Sequence, residues 1–590
     1  MKPDQTDRVP HDSVKGYAMS GETESTPKLS PVEGIKDTSR YLRGTLADEL
    51  AQEEVDHFGA DSQQLLKFHG SYQQEDRDAR KNRSKAGVGK HYMFMIRGRI
   101  PGGKLTAPQY LALDDIAGKY ANGTIRLTTR QSIQLHGVLK GNLKATIAGI
   151  NECMLSTLSA CGDVNRNVMA CPAPTNDPVR LEMQKLAHDI AMHLAPKSRA
   201  YHEIWLNGEK LANPAEEEHE PIYGKVYLPR KFKTGLTRPD DNCIDIHAQD
   251  LGFLAVLENG KAIGYNVLVG GGMGMSNSRE DTFAQLSSAM CYVTPDQVVA
   301  AAEAVITLYR DHGYRGDRKR ARIKYVVHDW GVEKFRDVLK DYLPFPLVLP
   351  KDAPITGTDL HLGWHPQGDG KWYFGVSVEN GRIKDEGEMR LRGGLRAICE
   401  QFSPNLRITG QQDILLCDIE TSNRSAIDSL LNEYGIPRPE TLSLVQMWSM
   451  ACPAIPTCGL AITESERALP GLIDTLETEL ANMGLAQQQV SIRMTGCPNG
   501  CARPYSSDIG LVGRTGNKYT LYAGGTYLGT RLSYELQDLV PQEQIVPKLL
   551  KLFTAFKADR AGDEGFGDFC TRIGVEKARS IIGADETVKK

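Results

Sequence analysis

The feature that most constrains the fold is a repeat inside the chain. G-T-I-R-L-T-T-R-Q-S-I-Q-L (123–135) resembles P-N-L-R-I-T-G-Q-Q-D-I-L-L (404–416), and Arg126 and Thr128 fall on Arg407 and Thr409 at an offset of 281. At the same offset M-A-C-P-A (169–173) falls on M-A-C-P-A (450–454). D-L-G (250–252) and V-G-G (269–271) echo D-I-G (508–510) and A-G-G (523–525) at offsets of 258 and 254, so the first half carries longer insertions. Convergent strand-and-turn patterning is the competing explanation, but it does not by itself produce two unlike motifs at one offset. The chain reads as a duplicated unit with two related halves, and a ligand could sit at their pseudo-two-fold junction.

The 590 residues amount to about four domain lengths. Strand-like and helix-like segments alternate from about residue 90. Met93–Ile96 reads as a strand, Pro108–Tyr120 as a helix after a proline start, and Ile125–His136 as a strand. That mixture implies an α/β or α+β protein. Net charge is −4, which gives no global signal for nucleic acid or a membrane surface. No apolar run approaches the ~20 residues that span a bilayer. The N-terminus lacks the apolar core of a secretory signal, so the expected location is cytoplasmic. Residues 1 to about 40 are polar and are expected to be partly disordered or wrapped on the surface.

Twelve cysteines in such a chain are expected to be thiols or metal ligands rather than disulfides. Two pairs share turn-rich loops: Cys452 and Cys458 (C-x5-C) in A-C-P-A-I-P-T-C-G, and Cys497 and Cys501 (C-x3-C) in R-M-T-G-C-P-N-G-C-A-R-P-Y. Four thiolates on two tight loops suit zinc or an iron–sulfur cluster. Zinc ribbons favour C-x2-C pairs. A cubane is wider and accepts N–H bonds from Gly-rich loops, so the spacing leans toward the cluster. Two unrelated pairs of core cysteines remain the plain alternative.

Period-two alternation over 125–136 would place Arg126, Thr128, Arg130, Ser132, Gln134 and His136 on one face. A solvated face usually mixes both charge signs. This one has no acid and would suit a polycarboxylate or phosphate. Arg97 in M-I-R-G-R, Arg166 in D-V-N-R-N-V, and Lys231 and Lys233 in L-P-R-K-F-K-T are further basic residues in tight contexts, and surface charge would explain each alone. D-R-K-R-A-R-I-K (317–324) is a basic run that could be a solvated helix or an anion-facing turn. V-G-G-G-M-G (269–274) is not a dinucleotide fingerprint, because that pattern would need Gly at Met275. An electron donor would therefore bind elsewhere or be a partner.

M-A-C-P-A-I-P-T-C-G-L-A-I-T-E-S-E-R (450–467) with R-M-T-G-C-P-N-G-C-A-R-P (493–504) resembles the paired signature of the sulfite/nitrite reductase hemoproteins. K-F-H-G-S-Y-Q-Q-E-D-R-D (67–78), R-L-T-T-R-Q-S-I-Q-L-H-G (126–137), D-V-N-R-N-V (163–168), Y-L-P-R-K-F-K-T (227–234) and E-G-F-G-D-F (564–569) extend the resemblance from about residue 40 to the end. It implies an α+β, internally duplicated fold, with two ferredoxin-like half-domains and two α/β siroheme/cluster domains. The implied division is 1–85 as an N-terminal wrapping arm, 86–150 and 345–440 as the ferredoxin-like halves, 151–344 as the first siroheme/substrate domain and 441–590 as the cluster domain.

The resemblance further implies a siroheme coupled to a [4Fe–4S] cluster. Cys452, Cys458, Cys497 and Cys501 match the cluster ligands, with Cys501 also bridging to the siroheme iron. Arg97, Arg166, Lys231 and Lys233 match the substrate-gripping residues. Arg126, Thr128, Arg130, Gln134, His136, Arg322, Lys324 and Asn499 match residues around the siroheme. Cys171 falls on Cys452 in the repeat and is expected to be a bystander near the pocket and no ligand, because Cys458 maps to Asp177 and no C-x3-C follows. The implied reaction is the six-electron reduction of sulfite to sulfide in sulfate assimilation and cysteine biosynthesis. Electrons would come from a partner protein, either an NADPH-oxidising flavoprotein subunit or ferredoxin, with a lean to the former. Nitrite reduction on the same cofactors, and a non-catalytic iron–sulfur or zinc protein, are the alternatives.

Overall fold

The computed structural model describes residues 28–197 and 220–584, with the backbone alone of 205–206 and 209–210. Most of the segment expected to be disordered, residues 1–27, lies outside the described residues. Just after it, the helix Pro31–Thr38 is firmly held: the Lys36 ammonium is fully buried, lies 2.6 Å from Glu33 and donates to Leu228 O at 2.8 Å.

Among the described residues, four five-stranded sheets form two matched pairs. The first has the order Ser71–Glu75, Tyr92–Arg97, Ile133–Val138, Ile125–Leu127, Arg382–Ile383. Its counterpart runs Gly363–Pro366, Trp372–Val376, Ile414–Ile419, Asn405–Ile408, Lys104–Leu105. The fifth strand of each comes from the other half. Arg382 pairs with Arg126 in the first sheet, and Arg407 with Lys104 in the second. Each sheet is covered by two helices. Ala107–Tyr120 and Leu143–Glu152 cover one; Leu391–Phe402 and Arg424–Glu433 cover the other. Ala107–Tyr120 starts where its sequence says it should, at a capping box between Thr106 and Gln109 with proline in the first turn. Phe94, Ile96 and Leu135 of the first half share one hydrophobic core with Phe374, Leu406 and Leu416 of the second. Ser71–Glu75 belongs to the segment expected to be a wrapping arm, yet it is the edge strand of the first sheet, paired along Tyr92–Arg97.

The other two sheets repeat each other strand for strand. Met169–Ala170, Thr234–Thr237, Leu251–Glu258, Lys261–Val269 and Ser288–Val293 are joined parallel, parallel, antiparallel, antiparallel. Ser449–Ala451, Ile492–Thr495, Ile509–Thr515, Lys518–Ala523 and Tyr534–Pro541 follow the same sequence of pairings. Even the last helices agree. Ile323–Leu339 is broken at Gly331 (φ 75°), and Phe566–Ile582 is broken at Gly574 (φ 77°).

One expected strand is corrected. Residues 125–136 form a hairpin, Ile125–Leu127 and Ile133–Val138, with Arg126 opposite Gln134. Thr128 N donates to Ser132 O at 2.8 Å, closing the turn, and Gln131 sits at φ 52°. Thr128, Arg130 and Ser132 are polar because they build a turn, and their spacing imitates one face of a strand. The second half has the same hairpin, with Gln412 at φ 76°. Arg503 donates to Thr129 O (3.1 Å) at the tip of the first hairpin and to Gly410 O (2.9 Å) at the tip of the second, tying both to the cluster-loop side of the last sheet.

Candidate active site

Cys452 follows the strand Ser449–Ala451, and Cys497 follows Ile492–Thr495. These strands are parallel neighbours, so their C-terminal ends deliver both thiols to one place. Cys452 N donates to Met494 O at 3.2 Å, and Gly496 N donates to Cys452 Sγ at 3.3 Å. Asn499 Nδ2 donates to Cys497 Sγ at 3.4 Å, so Asn499 orients a thiol of the loop. Cys452 and Cys497 are buried, Cys458 is half-buried and Cys501 is exposed. Burial, reinforced by the neighbouring thiols, pushes Cys452 and Cys497 up to about 12 and Cys458 to about 11. Left to themselves these three thiols would stay protonated; a cationic metal centre offsets that cost. Among the described residues, the one group of three or more ligand atoms lying within 4.8 Å of one another is elsewhere. Four thiols on two tight, turn-rich loops, two of them delivered by neighbouring parallel strands, are a donor set that fits a cubane cluster.

The loop Gly270–Met275 closes over the C-P-N-G-C turn. Met275 N donates to Pro498 O at 3.0 Å. Gly500, at φ 60°, has Met273 O where a Cβ would stand 2.9 Å away, so a side chain there would push the two loops apart. The V-G-G-G-M-G stretch thus serves close packing against the cluster turn. Lys324 holds it from behind, donating to Gly272 O (3.1 Å), Gly274 O (2.7 Å) and Phe283 O. Arg322 beside it donates to Asp250 Oδ1 at 2.7 Å and to Gly271 O. Both residues support the loop through protein partners.

The expected substrate cations come together. Asn165 and Phe232 form a parallel bridge, so Arg166, Lys231 and Lys233 project to the opposite side from the buried Phe232 ring. Arg166 donates to Gly162 O (3.2 Å) and reaches the Tyr72 hydroxyl at 3.5 Å. Arg97 donates to Cys161 Sγ at 2.8 Å. Gln134, with its amide oxygen turned toward Arg97, accepts from Nε at 3.2 Å. Arg130 at the hairpin tip donates to Gln249 Oε1 at 2.7 Å and to Asn167 O. Burial and the neighbouring Arg166 lower Arg130 to about 9. Lys231 and Lys233 have no hydrogen-bond or ion-pair partner among the described residues. Burial and Lys233 hold Lys231 well below the usual lysine range, and burial and Arg130 bring Lys233 down to about 7. Burial and crowding drive both lysines toward the neutral amine, and an anion bound among them would hold them charged. Cys501 lies within electrostatic reach of Lys233, placing the cluster loop at the edge of the same site.

Arg126 departs from the acid-free surface expected of its strand. It pairs with Glu466 of the other half and donates to Ala451 O at 2.8 Å, and Arg382 holds the same carboxylate at 2.7 Å. His136 lies 3.3 Å from the Gln134 amide, and burial beside Arg382 and Arg126 keeps it neutral. Thr128 Oγ1 accepts from Arg130 N at 3.2 Å and shapes the turn, while its neighbour Thr129 donates to Cys501 O at 3.1 Å. Tyr72 and Cys161 were not singled out from the sequence, yet both face the arginines. Tyr72 lies in the K-F-H-G-S-Y motif, which could have flagged it. Cys171, expected to be a bystander near the pocket, lies in a separate buried group with Asp241, Cys243 and His361.

Residues 187–347 and 448–590 match the family described as nitrite and sulphite reductase 4Fe-4S domain, and 87–153 and 365–434 match its ferredoxin-like half domain. A protein named sulfite reductase [ferredoxin] from Synechococcus elongatus is 45% identical over 95% of this chain and 92% of its own length. One named sulfite reductase [NADPH] hemoprotein beta-component, from Paenibacillus sp., is also 45% identical, over 93% of this chain and 96% of its own. The solved structure of Mycobacterium tuberculosis NirA protein superposes with a TM-score of 0.77 at 23% identity, covering 94% of this chain and 98% of that one, and so shares its fold. With both domain types present twice and relatives matched over nearly their whole length, the chain belongs to the nitrite and sulfite reductase family.

Proposed function

We propose that this protein reduces sulfite to sulfide, taking up six electrons and releasing the three oxygens of sulfite as water. The observation that carries the proposal is the pair of unpartnered lysine side chains, Lys231 and Lys233, set among Arg130, Arg166 and Arg322 at the edge of the Cys501 loop. Cys452, Cys458, Cys497 and Cys501 would hold a [4Fe–4S] cluster, and Cys501, the most exposed of the four, would also serve a siroheme. Bound there, the two cofactors supply electrons to the substrate sulfur.

The chain's own residues do the rest. Arg97 and Arg166 offer planar N–H forks to the anion's oxygens, and their contacts to Gln134, Gly162 and Tyr72 keep the forks aimed. Lys231 and Lys233 neutralise the anion and hold protons at Nζ, where oxygens leaving as water need them. An ammonium weakened by crowding is a better acid than an ordinary lysine. Arg130, at the hairpin tip, would face the carboxylates of the tetrapyrrole; Arg126, Thr128, Gln134 and His136 would hold that hairpin in place, and Asn499 would orient the cluster loop. Arg322 and Lys324 would act through the Gly270–Met275 loop that they support. The electron donor is a separate protein. Relatives of equal identity are named for ferredoxin and for NADPH, and an NADPH-oxidising flavoprotein is our reading for this chain.

The test is sulfide formation from sulfite by the cofactor-loaded protein with reduced viologen. No sulfide from a preparation with full cluster iron and siroheme absorption would refute the proposal. The same preparation given each physiological donor decides between flavoprotein and ferredoxin.

A further inference from the structure

We infer that the first half of the chain holds a mononuclear zinc site made of Cys171, Cys243, His361 and Asp241. All four are buried, and one ligand atom from each lies within 4.8 Å of the others. Cys171 Sγ is 3.7 Å from His361 Nε2 and 2.9 Å from Asp241 Oδ2, and Asp241 Oδ2 is 3.3 Å from His361 Nε2. Thiolate, imidazole and carboxylate bonds of about 2.0–2.3 Å give tetrahedral edges of about 3.3–3.8 Å. The two edges to His361 already agree with this. The Cys171–Asp241 edge, now a thiol-to-carboxylate hydrogen bond, would open slightly when the thiol loses its proton to the metal.

The surroundings match what a metal needs. Asp359 Oδ2 lies 3.6 Å from His361 Nδ1, so a carboxylate stands on the side of the ring away from the ligands, longer than a hydrogen bond but on the nitrogen a second-shell partner would use. Arg180 Nε donates to Cys171 Sγ at 3.5 Å, and Arg180 Nη2 to Asp241 Oδ2 at 3.0 Å. Two thiolates and a carboxylate around a divalent ion leave one net negative charge, which the guanidinium offsets. Two soft sulfurs with a nitrogen and one oxygen, in a closed buried setting, favour zinc over the oxygen-seeking cations.

A second observation is independent of these distances. Cys171 follows the strand Met169–Ala170 as Cys452 follows Ser449–Ala451. The strands Thr234–Thr237 and Ile492–Thr495 correspond at an offset of 258, and so do the strands that begin at Leu251 and Ile509. Between them Asp241 and Cys243 occupy the places of Asn499 and Cys501. The site therefore stands where the cluster would stand in the other half. Two of the four thiols are kept, and the second ferredoxin-like half supplies His361. A small ion replaces a cubane, and its bonds would staple the first siroheme-type domain to the segment entering the strand Gly363–Pro366.

The test is metal analysis of the full-length protein, produced with zinc in the medium and purified without chelator. One zinc per chain is expected in addition to iron. Zinc-edge X-ray absorption should show two sulfurs at about 2.3 Å and two lighter ligands. In Cys171→Ser and Cys243→Ser zinc should fall to background while iron content and visible bands stay at wild-type values, which separates this result from the fate of the active-site reading. Should the variants not fold, the count and the absorption spectrum of the wild type decide. Wild-type protein without zinc, zinc lacking sulfur neighbours, zinc retained in both variants, or a Cys171–Cys243 disulfide would overturn the inference.

Discussion

Asp245 and Arg503 occupy the same place in the two halves of the chain, and they are ion-paired to each other. Each is a non-glycine residue in the left-handed region, at φ 50° and 57°, and each opens a short 3-10 turn, Ile246–Ala248 or Pro504–Ser506. In a symmetric dimer an equivalent pair near the axis would be two arginines or two aspartates, and would repel. Duplication within one chain let the two copies diverge to opposite charge. Arg503 then spans the junction, bonding Thr129 O and Gly410 O, which are themselves equivalent.

Arg493 Nη1 lies 2.8 Å from the same Asp245 carboxylate. Asp245→Asn therefore strands two buried guanidinium groups. Removing one side of a buried pair costs about 3–5 kcal/mol. Chemical unfolding should place Asp245→Asn in that range, and Arg493→Met, which leaves Asp245 its bond to Arg503, below it. An Arg493→Met cost equal to that of Asp245→Asn would mean that the two arginines do not share the charge.

Cys501 and Cys458 should separate in their spectra. Both would be cluster ligands, but Cys501 is the exposed one, facing Lys233, while Cys458 is half-buried on the far loop with its N–H bonded to Ala454 O at 2.8 Å. Cys458→Ser should lower iron and labile sulfide with a smaller change in the tetrapyrrole bands; Cys501→Ser should disturb both. Unchanged tetrapyrrole bands in Cys501→Ser would remove its double role.

Lys231→Met and Lys233→Met should each lower kcat/KM for sulfite by more than about tenfold, since a desolvated charge-assisted contact is worth about 1.5–3 kcal/mol. If the lysines also deliver protons, kcat falls along with the rise in KM. Arginine at either position should restore KM better than kcat, because a guanidinium holds its proton. A change in KM alone would reduce both residues to anion binding.

The repeat, the four thiols and the basic set were legible because each is a local pattern of residue types. What escaped was a turn that imitates a strand face and the contacts between halves. The hairpin at 125–138 read as one strand because Thr128, Arg130 and Ser132 are polar for the sake of a turn, and nothing local distinguishes that from a solvent face. The exchange of Lys104–Leu105 and Arg382–Ile383 between sheets involves two-residue strands, too short for any periodicity. Glu466, paired with Arg126 from 340 residues away, could not be seen from the alternation around Arg126. His361 joins Cys171 and Cys243 only through the fold.

Asp413 replaces Ser132 at the equivalent point of the second hairpin, and it is buried with Val378 N as a donor at 2.9 Å. Desolvation, only partly offset by that hydrogen bond, pushes its carboxyl up to about 8. The folded state therefore holds a proton that the unfolded chain, with an ordinary carboxyl near 4, releases. Between about pH 4 and 8 the folded state binds more protons than the unfolded one, so this residue's contribution to stability is full at the acid end and is lost as pH rises through 8. Each unit of difference is worth about 1.4 kcal/mol, which makes the total a few kcal/mol. Asn keeps an oxygen for Val378 N and never ionises. The thermal midpoint of Asp413→Asn relative to wild type should accordingly rise between pH 5 and pH 9. A constant difference between the two proteins across that range would show that Asp413 is ionised in the folded protein.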